Sequence, residues 1–507
     1  MIAYPLLALA TVLMPSVGAP HPNATVHVRP IEHKLSPMDW RRSPYSSGLI
    51  QAHLWQAGLL HPRAGGFSFG LQPDLTCKGH PCTFKPVEAS EGGQPVNEDP
   101  IVVNVKNTKQ LLTGGNDYNC AALRGHYLSP DGGKTWNRSC DPLPSGGSGL
   151  GDPIVGFDTK NTAWAGGINS TSSGYVIDVQ SSTDQGKTWS APIAAVTALF
   201  SGGLTDKPWM QIDTNSGSKF KNNIYISITQ FDSSNGTQIT VSNSKNGTKW
   251  SAPIPVSSHA TYPNINQFSD IGIAKNGTLY VTWLNCTANG SKGDCGGTKA
   301  TIMLSTSTDG GKTWSTPSVI DNVTLAPDTA GCCFYGQLPN TSERVSDIPA
   351  IGVDTSSKST SGNLYVIEYT WTGTQMVVRV ITSTNGGKTW SKPVNVAGKN
   401  PKNDEFFPWI NVSSAGTVGA SWLDRRNDPA NVNYEAFGAY SSNAKKFSKN
   451  LDLSAKPSNP NNDGFGSGFM GDYTGNFWAG SKALYVSWMD TTFTNTDCQD
   501  AVGGFQK

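Results

Sequence analysis

Seven apolar segments of this 507-residue chain open with an acidic side chain, and a recurring carboxyl group is a candidate for acid–base chemistry. The acids at the segment starts are Glu98 with Asp99, Asp152, Asp206, Asp270, Asp347, Glu405 and Asp472. Crowded carboxylates raise one another's pKa, so one of them can hold a proton at neutral pH and donate it. Because one reaction does not need seven acids, most are expected to bond turn amides instead. The acids predicted to be catalytic are Asp99, Asp152, Asp206 and Asp347.

Arginine and tryptophan side chains are the second group with chemical potential. The predicted substrate-binding residues are Arg124, Arg344, Arg425, Arg426 and Trp209. A guanidinium group binds an oxyanion through two parallel hydrogen bonds. Arg425 and Arg426 lie between Asp424 and Asp428 in the densest charge cluster of the chain, and a salt-bridged loop is the alternative interpretation. Trp209 either stacks on a sugar ring or packs in the core.

A second repeat indicates which elements carry these residues. Copies of a Ser-X-Asp-X-Gly-Lys-Thr-Trp pattern occupy residues 129–136, 182–189, 244–250, 307–314 and 383–390, with a degenerate copy at 441–447. Asp or Asn followed by Gly marks a tight turn, and the Trp that follows enters a strand. The pattern resembles the Asp box, or BNR repeat. Its copies lie roughly 50–75 residues apart, the size of one four-stranded blade, so an all-β, seven-bladed β-propeller is predicted, with six blades as the alternative.

The connectivity of a four-stranded blade separates the two repeats. Successive turns between antiparallel strands lie at alternate ends of a sheet. If the boxes join the third and fourth strands, the acidic starts of the innermost strands lie at the opposite end, around the mouth of the central channel. Candidate site residues are therefore expected at this mouth, and the boxes are expected to be structural. One short helix is expected within residues 46–60.

The boxes and the propeller pattern, over residues 91–495, resemble the sialidase superfamily. The resemblance implies three arginines that bind the substrate carboxylate, an Asp acid/base, and a Tyr nucleophile activated by a Glu. The implied residues are Tyr473 as nucleophile, with Glu343, Glu368 or Glu405 as its partner. The Arg-Ile-Pro motif of the family's first blade is absent, and Glu98-Asp99-Pro100 stands in its place. An acid at that position repels a sialic carboxylate, so a carbohydrate other than sialic acid is expected.

Composition indicates a secreted, turn-rich protein. The 55 Gly, 32 Pro and only 15% charged residues are typical of all-β proteins. A net charge of +1 provides no field that attracts a polyanion, so neither nucleic acid nor a membrane is an expected partner.

Residues 1–19 are predicted to be a secretory signal peptide. Residues 20–90 are predicted to be an N-terminal extension that packs on or closes the propeller, or a processed prosegment, and residues 91–507 are predicted to form the propeller.

The nine cysteines suit an oxidising compartment and are interpreted as structural. The predicted bridges are Cys120–Cys140 and Cys286–Cys295, and Cys77 with Cys82 and adjacent Cys332 with Cys333 are further pairs close enough to bridge. The odd count leaves at least one thiol without a partner in this chain. No zinc spacing and no phosphate-binding loop is present, so no cofactor is predicted. Calcium at the carboxylate ring is the one ion that the ligand types allow.

The leading functional hypothesis is a secreted, monomeric, exo-acting glycoside hydrolase with a glycan or polysaccharide substrate. An exo-arabinanase and a polysaccharide lyase on the same scaffold are alternatives, and a non-catalytic lectin-like propeller is a third. Identical sites in every blade favour a lectin. Here only the acidic strand starts are uniform, whereas the loops between second and third strands differ. Variable loops on a repeated scaffold favour one asymmetric site.

Overall fold

A computed structural model describes residues 43–60, 80–90, 92–290, 292–398, 402–466 and 468–507 of the chain. Seven antiparallel sheets follow one another along the sequence and form a seven-bladed β-propeller, which confirms the predicted fold class and blade number. The first strands of neighbouring blades contact one another and line the central axis. The predicted signal peptide lies outside the described residues.

Blades 1 to 3 each run outward from the axis, and in blades 1 and 2 the innermost strand is broken into two pieces. Blade 1 contains β2 (Val96–Asn97), β3 (Ile101–Val103), β4 (Leu111–Asp117), β5 (Gly125–Ser129) and β6 (Asn137–Cys140). Blade 2 contains β7 (Ser148–Gly149), β8 (Ile154–Phe157), β9 (Ala163–Thr171), β10 (Gly174–Ser182) and β11 (Ile193–Thr197). Blade 3 contains β12 (Leu204–Ile212), β13 (Ile224–Phe231), β14 (Thr237–Ser244) and β15 (Ile254–Pro255).

Blades 4 to 6 repeat the same four-stranded order. Blade 4 contains β16 (Asn264–Ile273), β17 (Leu279–Thr287), β18 (Lys299–Ser307) and β19 (Ser318–Thr324). Blade 5 contains β20 (Ala350–Val353), β21 (Leu364–Trp371), β22 (Met376–Ser383) and β23 (Val394–Asn395). Blade 6 contains β24 (Glu405–Val412), β25 (Val418–Asp424), β26 (Glu435–Ser441) and β27 (Leu451–Asp452).

Blade 7 joins the two ends of the chain. Its inner strands are β28 (Gly475–Ala479), β29 (Ala483–Asp490) and β30 (Gln499–Gln506), and its outermost strand is β1 (Cys82–Glu88). Strand β1 pairs with β30 in antiparallel register, with Cys82 opposite Gln506, so a strand from the N-terminal region closes the propeller. The described residues also contain the α-helix α1 (Ser47–Gln56) and a 3₁₀ helix (Pro460–Asn462), and none of their helices has the length and apolarity needed to cross a membrane.

The innermost strands are bent at the end of the propeller that faces α1. Five non-glycine residues there have left-handed backbone conformations: Glu98 (φ 63°), Asp152 (φ 53°), Lys207 (φ 49°), Phe268 (φ 62°) and Phe407 (φ 45°). In β12, β16 and β24 the strand register shifts at the same place, which is the signature of a β-bulge. Each left-handed residue costs about 1–3 kcal/mol, and such strain concentrates at functional sites.

The Asp boxes close the turns between third and fourth strands, at the predicted position. The box at 129–136 joins β5 to β6, and the next box joins β10 to β11. In that second box Asp184 accepts hydrogen bonds from the Thr188 hydroxyl and amide, which lower the pKa of Asp184 to about 2. The carboxylate thus organises its own turn, and box residues do not reach the opposite end of the propeller.

Replacement of Asp309 by alanine is expected to lower stability without removing function. The Asp309 carboxylate accepts hydrogen bonds from the Thr313 amide (3.0 Å) and hydroxyl (2.6 Å) and from Ser307 (2.8 Å). Loss of this set is expected to reduce the free energy of unfolding by about 1–3 kcal/mol. Thermal denaturation measures the effect. A variant with unchanged melting temperature but no function would place the functional site at the box end instead.

The disulfide bonds follow the predicted pairing. Cys120 and Cys140 are bridged with a Cα–Cα distance of 5.3 Å, and Cys286 and Cys295 with one of 6.1 Å. The adjacent pair Cys332–Cys333 is also bridged. Among the described residues one thiol is free, that of buried Cys498, which accounts for the odd count. Cys82 is disulfide-bonded, and Cys77 lies outside the described residues.

Candidate functional site

Four acidic side chains from four blades meet at the mouth opposite the boxes. Glu98, Asp152, Asp206 and Asp472, named here the carboxylate ring, come from blades 1, 2, 3 and 7, and all are fully buried. Glu98 and Asp152 owe their direction to the left-handed bends in the innermost strands. Asn116 supports the ring by donating to Glu98 Oε2 (2.9 Å) and accepting from the Asp152 amide (2.7 Å).

The first turn of α1 is seated directly on this ring. Ser46 is the N-cap residue, and its amide donates to Asp206 Oδ2 (2.7 Å). The Ser47 amide and hydroxyl contact the two oxygens of Asp472 at 2.6 and 2.7 Å, and the Gly48 amide donates to Glu98 Oε1 (3.2 Å). Three of the N–H groups that a helix leaves unpaired at its start thus donate to carboxylates, where the helix dipole also favours negative charge, and the fourth, that of Leu49, donates to the Ser46 hydroxyl.

The Ser46 hydroxyl joins two carboxyl groups of the ring. Its oxygen accepts from the Leu49 amide and lies 2.9 Å from Asp152 Oδ2 and 2.7 Å from Asp206 Oδ1. The N-cap side chain of α1 therefore bridges the acids of blades 2 and 3.

Gly48 allows α1 to approach this closely. A Cβ at position 48 would lie 2.2 Å from Asp152 Oδ1, 2.5 Å from Glu98 Oε2 and 2.7 Å from Asn116 Nδ2. Any side chain there would collide with the ring. On its flanks the helix is held by apolar packing, with Leu49 and Ala52 in one hydrophobic cluster and Ile50 and Leu54 in another. Residues 47–54 are all buried, so α1 covers the ring completely.

A lysine on an aromatic floor lies beneath the ring. The Lys207 ammonium is 4.4 Å from the ring centroid of Trp209 and 4.2 Å from that of Tyr473. Trp409 packs against Trp209 at a centroid distance of 4.5 Å and completes the floor. Lys207 is fully buried, and its Nζ has no hydrogen-bond partner among the described residues.

Arg344 brings a second cation to the same place. Its Nη2 lies 3.5 Å from Asp472 Oδ2, and its guanidinium carbon lies 5.1 Å above the Tyr335 ring. Its side chain is 1% exposed, and Nε and Nη1 have no hydrogen-bond partner within the described part of the chain. The mouth therefore combines four carboxyl groups with two incompletely paired cations in a water-excluded space.

Burial dominates the electrostatics of the site. Burial and then the charge of Asp472 raise the pKa of Glu98 to about 7. Burial, followed by Glu98 and Asp206, raises the pKa of Asp152 well above its usual range. Asp152 Oδ1 receives no N–H or hydroxyl donor and lies beside the Glu98 carboxyl, so each of these acids raises or modifies the pKa of the other. Burial also raises the pKa of the Tyr473 phenol and lowers that of the Lys207 ammonium.

The structure brings five of the predicted site residues to this mouth: Asp152, Asp206, Tyr473, Arg344 and Trp209. Asp99 lies beside them, next to Glu98 and Asp500, and burial and these two acids raise its pKa. Tyr473 does not contact a glutamate partner of the kind implied for it: its hydroxyl lies 3.5 Å from the Pro153 carbonyl.

Two predicted acids face into blade 5. Asp347 accepts from the Tyr369 amide (3.0 Å), and burial raises the pKa of Asp347 to about 7. Glu368 is bonded to Arg379 Nε (2.9 Å) within the same blade. The described residues before β20 include none with positive φ between 345 and 349, so the bend that turns an acid into the mouth in other blades is missing here.

Three predicted arginines lie away from the carboxylate ring. Arg124 forms buried ion pairs with Asp141 (2.8 Å) and Asp178 (3.1 Å). Arg425 donates to the carbonyls of Pro339 and Asn431 at 2.7 and 2.9 Å, which matches the alternative interpretation of a tied loop. Arg426 pairs with Asp424 and lies 4.4 Å from the Phe437 ring. These guanidinium groups contact neighbouring strands and loops rather than the ring, and the Nε and Nη2 atoms of Arg425 have no hydrogen-bond partner among the described residues.

Sequence reasoning missed part of the site. Glu98 and Asp472 were recognised as strand starts but not assigned a role, and Lys207 was not singled out. The sequence does contain a signal for Lys207. Lys207 comes directly before Pro208, as Asp152 comes directly before Pro153, so one copy of the repeat has a base where another has an acid. No sequence signal identified Ser46-Ser47-Gly48 as the segment that fills the mouth.

Calcium does not fit the ring in this conformation. The carboxylate oxygens of Asp206 and Asp472 already accept N–H and O–H groups of α1, and Lys207 places an ammonium group below. A cation would have to displace these donors. Asp328 lies near Cys332 and Cys333, but those sulfurs are bridged to each other and are not free ligands.

Comparison with known proteins agrees with the fold. The BNR/Asp-box repeat family matches residues 381–392, the box between β22 and β23. The chain is an Asp-box β-propeller. A curated sialidase of Bacteroides fragilis (strain YCH46) is 38% identical over 95 residues, which are 14% of this chain and 18% of the sialidase. This Asp-box propeller thus matches less than a fifth of that relative's length.

Solved structures with detectable likeness include two enzymes. An α-L-arabinofuranosidase of Fusarium graminearum shares 14% identity over 68% of this propeller and 93% of its own chain, with a TM-score of 0.43. A polysaccharide lyase described as an ulvan lyase shares 10% identity over 80% of this propeller and 93% of its own chain, with a TM-score of 0.46. A protein of unknown function from Dyadobacter fermentans shares 13% identity over 70% of this propeller and 94% of its own chain, with a TM-score of 0.46. Likeness at this level carries no information about the substrate of this chain.

Proposed function

We propose that this Asp-box propeller is a secreted glycoside hydrolase whose reaction centre is the carboxylate ring. The observation that carries the proposal is the pairing of acids in different environments at one buried place. In this proposal Glu98 and Asp152 share a proton, because they are in contact and burial raises the pKa of both, whereas Asp206 accepts the backbone amide of Lys207 (3.0 Å) and the side-chain amide of Gln267 (2.6 Å), which oppose the rise that burial causes in the pKa of Asp206. Carboxyl groups with separated protonation behaviour are what glycoside hydrolysis requires.

The roles follow from these surroundings. The Glu98–Asp152 pair donates its proton to the glycosidic oxygen as the bond between that oxygen and the anomeric carbon breaks. Asp206 accepts a proton from the water that adds to the anomeric carbon, so one water is consumed and the carboxyls return to their starting state by proton exchange. Arg344, Lys207 and the aromatic floor orient the sugar. In the conformation described here α1 covers these groups, so turnover requires the sugar to take the place of α1 on the ring, where it keeps Glu98 and Asp152 away from water and their pKa values raised.

A substrate panel tests this function. The full-length protein, with Glu98→Gln as the inactive reference, is incubated with aryl glycosides and with plant and fungal polysaccharides, and new reducing ends are measured. We expect reducing ends to appear with the parent protein and to be absent with the variant. Equal release by both proteins would show contamination or a site elsewhere, and the ring would lose its assigned role.

Sialic acid is not the expected substrate. The described mouth contains one arginine, Arg344, where a sialic carboxylate is bound by three in true sialidases, and Glu98 would repel that carboxylate. We expect little or no release of the fluorophore from a standard fluorogenic sialoside. Rapid release that disappears in Tyr473→Phe would contradict this expectation and assign the phenol a nucleophilic role.

A polysaccharide lyase is the second candidate, because one observation favours it. The Lys207 ammonium is buried without a hydrogen-bond partner among the described residues, and burial lowers its pKa toward that of a usable base. Lys207 would remove the proton α to a uronate carboxylate that Arg344 neutralises, and Tyr473 would protonate the leaving oxygen. This elimination yields an unsaturated uronate, detected by its ultraviolet absorbance, without consumption of water.

A further inference from the structure

We infer that the turn Ser46-Ser47-Gly48 is an internal ligand that occupies the sugar site, and that the ligand it imitates is a neutral saccharide that presents adjacent hydroxyl groups to the carboxylate ring. The inference rests on the proposed function and names both the substrate class and the regulation of the same site. Helix α1 is accordingly a displaceable plug, defined as residues 46–56.

The contacts of the plug define what the ring recognises. The turn donates five groups to the ring: the Ser46, Ser47 and Gly48 amides and the two serine hydroxyls. All of them meet carboxyl oxygens of Asp152, Asp206, Asp472 or Glu98 at 2.6–3.2 Å. Neighbouring hydroxyls of a sugar are the natural equivalent, since each donates one hydrogen bond at similar spacing. An anionic group would instead meet four carboxyls.

The plug leaves part of the site unused, which separates a ligand site from a mere helix cap. Lys207 Nζ and the Nε and Nη1 atoms of Arg344 are buried yet have no hydrogen-bond partner among the described residues. Structural helix contacts satisfy the polar groups that they bury, because each unsatisfied group is costly. A sugar ring brings acceptor oxygens as well as donors, whereas the plug brings no acceptor to these two cations.

The plug is also suited to leave. It is a helix of 10 residues, and isolated helices shorter than about 12–15 residues are marginal in water, so α1 depends on its seat for stability. The surface that binds α1 is polar at the first turn of the helix and apolar along its flanks. Within the described residues no disulfide fixes the plug to the propeller. Loss of the ring contacts is therefore expected to release the whole segment.

Hydrogen exchange measures plug release without any need for catalysis. In the full-length protein we follow the amides of residues 49–56 by mass spectrometry, comparing the parent with Gly48→Ala. The added Cβ collides with Asp152 and Glu98, so exchange of these amides is expected to rise by about tenfold or more while the blades stay protected. Gly290→Ala is the matched control, because nothing lies within 4 Å of its Cβ position. Ser46→Ala is a milder second variant that removes the hydroxyl shared by Asp152 and Asp206.

Saccharide competition tests the imitation. Millimolar arabinobiose, xylobiose and cellobiose are added to the parent protein, with a disaccharide of uronic acid as the anionic contrast. At least one neutral sugar is expected to speed exchange of residues 49–56, and the uronate is expected to have no effect. Unchanged exchange in both Gly48→Ala and Ser46→Ala would overturn the plug, whatever the enzyme's activity. Release by Gly48→Ala without response to any sugar would overturn the imitation, and release with sugar response but no hydrolysis would refute the proposed function alone.

Discussion

Replacement of Glu98 by glutamine is expected to reduce glycan hydrolysis by about 10²–10⁴-fold, the usual contribution of a positioned acid or base. Glutamine keeps the size of the side chain and can donate an N–H to Asp152, as the shared proton does now, but it cannot deliver a proton to a leaving oxygen. The Gly48 and Asp472 amides, which both donate to Glu98 Oε1 at 3.2 Å, keep the carbonyl oxygen of the glutamine in place. Folding is therefore expected to be retained, with kcat carrying the loss.

Asp270→Asn is the matched control for this variant. Asp270 also opens an innermost strand, and burial raises its pKa to about 7, as for Glu98. Its oxygens, however, accept the amides of Ile271 (2.7 Å) and Ile351 (2.8 Å) rather than groups of α1. Its loss is expected to lower the melting temperature and to change kcat by a small factor only. Equal loss of kcat in the two variants would show that buried acids support the propeller in general and that Glu98 has no special role.

Release of the plug is expected to depend on pH, with α1 seated in mild acid and leaving as the solution becomes neutral. Under α1 the pKa of Glu98 is about 7 because of burial and then Asp472, against 4.5 for an ordinary glutamate. The closed form therefore binds more protons than the open form, so its added stability is complete below pH 4.5 and is lost as the pH rises through 7. A shift of this size corresponds to roughly 3 kcal/mol, or about 10²-fold in the opening equilibrium.

The charged groups that face Glu98 also contribute to the pH dependence of plug release. Asp152 has a raised pKa and acts in the same direction, and Asp472 contributes charge. Lys207 acts in the opposite direction. Burial lowers the pKa of its ammonium group, so the closed form holds this proton less tightly than the open form does and is favoured as the pH rises. Asn116 and the amide of Gly48 do not titrate. The effect of Glu98 is therefore expected between pH 4.5 and 7, and the lysine effect opposes it.

Hydrogen exchange of residues 49–56, corrected for the intrinsic pH dependence of amide exchange, measures this opening. Glu98→Gln provides the control, since glutamine does not titrate and its profile is expected to be flatter. An opening equilibrium that is independent of pH in the parent protein, or that favours the closed form as the pH rises from 5 to 7, would contradict the assignment of a shared proton to the ring.

The fold could be predicted from local sequence signals, whereas the positions of the site residues depend on contacts between residues far apart in sequence. The box turns, the seven acidic strand starts and two disulfide pairings depend on residues close in sequence or repeated at regular spacing. Asp152 and Asp206 reached the mouth because they sit at bends that recur with the repeat. Asp347 begins a strand in the same way but bonds the neighbouring strand, since blade 5 lacks the bend among its described residues. A repeat locates a position, but the backbone conformation at that position decides where the side chain points.

The plug could not be predicted from local sequence. Its contacts join Ser46 to a residue 160 positions away and Ser47 to one 425 positions away, and no periodicity marks such pairs. The positions of the arginines differ from the expected mouth for a related reason. Charge density singled out Arg425 and Arg426, yet a dense cluster is also what a salt-bridged loop contains, and their partners are the nearby Asn431 and Asp424. Lys207 and Arg344 differ from them in being buried beside acids of distant blades.

The most direct measurement compares the release of reducing ends by the parent protein, Gly48→Ala and the double variant Gly48→Ala with Glu98→Gln, on whichever polysaccharide the panel identifies. If the ring under α1 is the reaction centre, Gly48→Ala is faster than the parent and the double variant is inactive although folded. If Gly48→Ala releases α1 but gains no activity on any substrate, or if the double variant is as active as Gly48→Ala, the carboxylate ring is not a catalytic site.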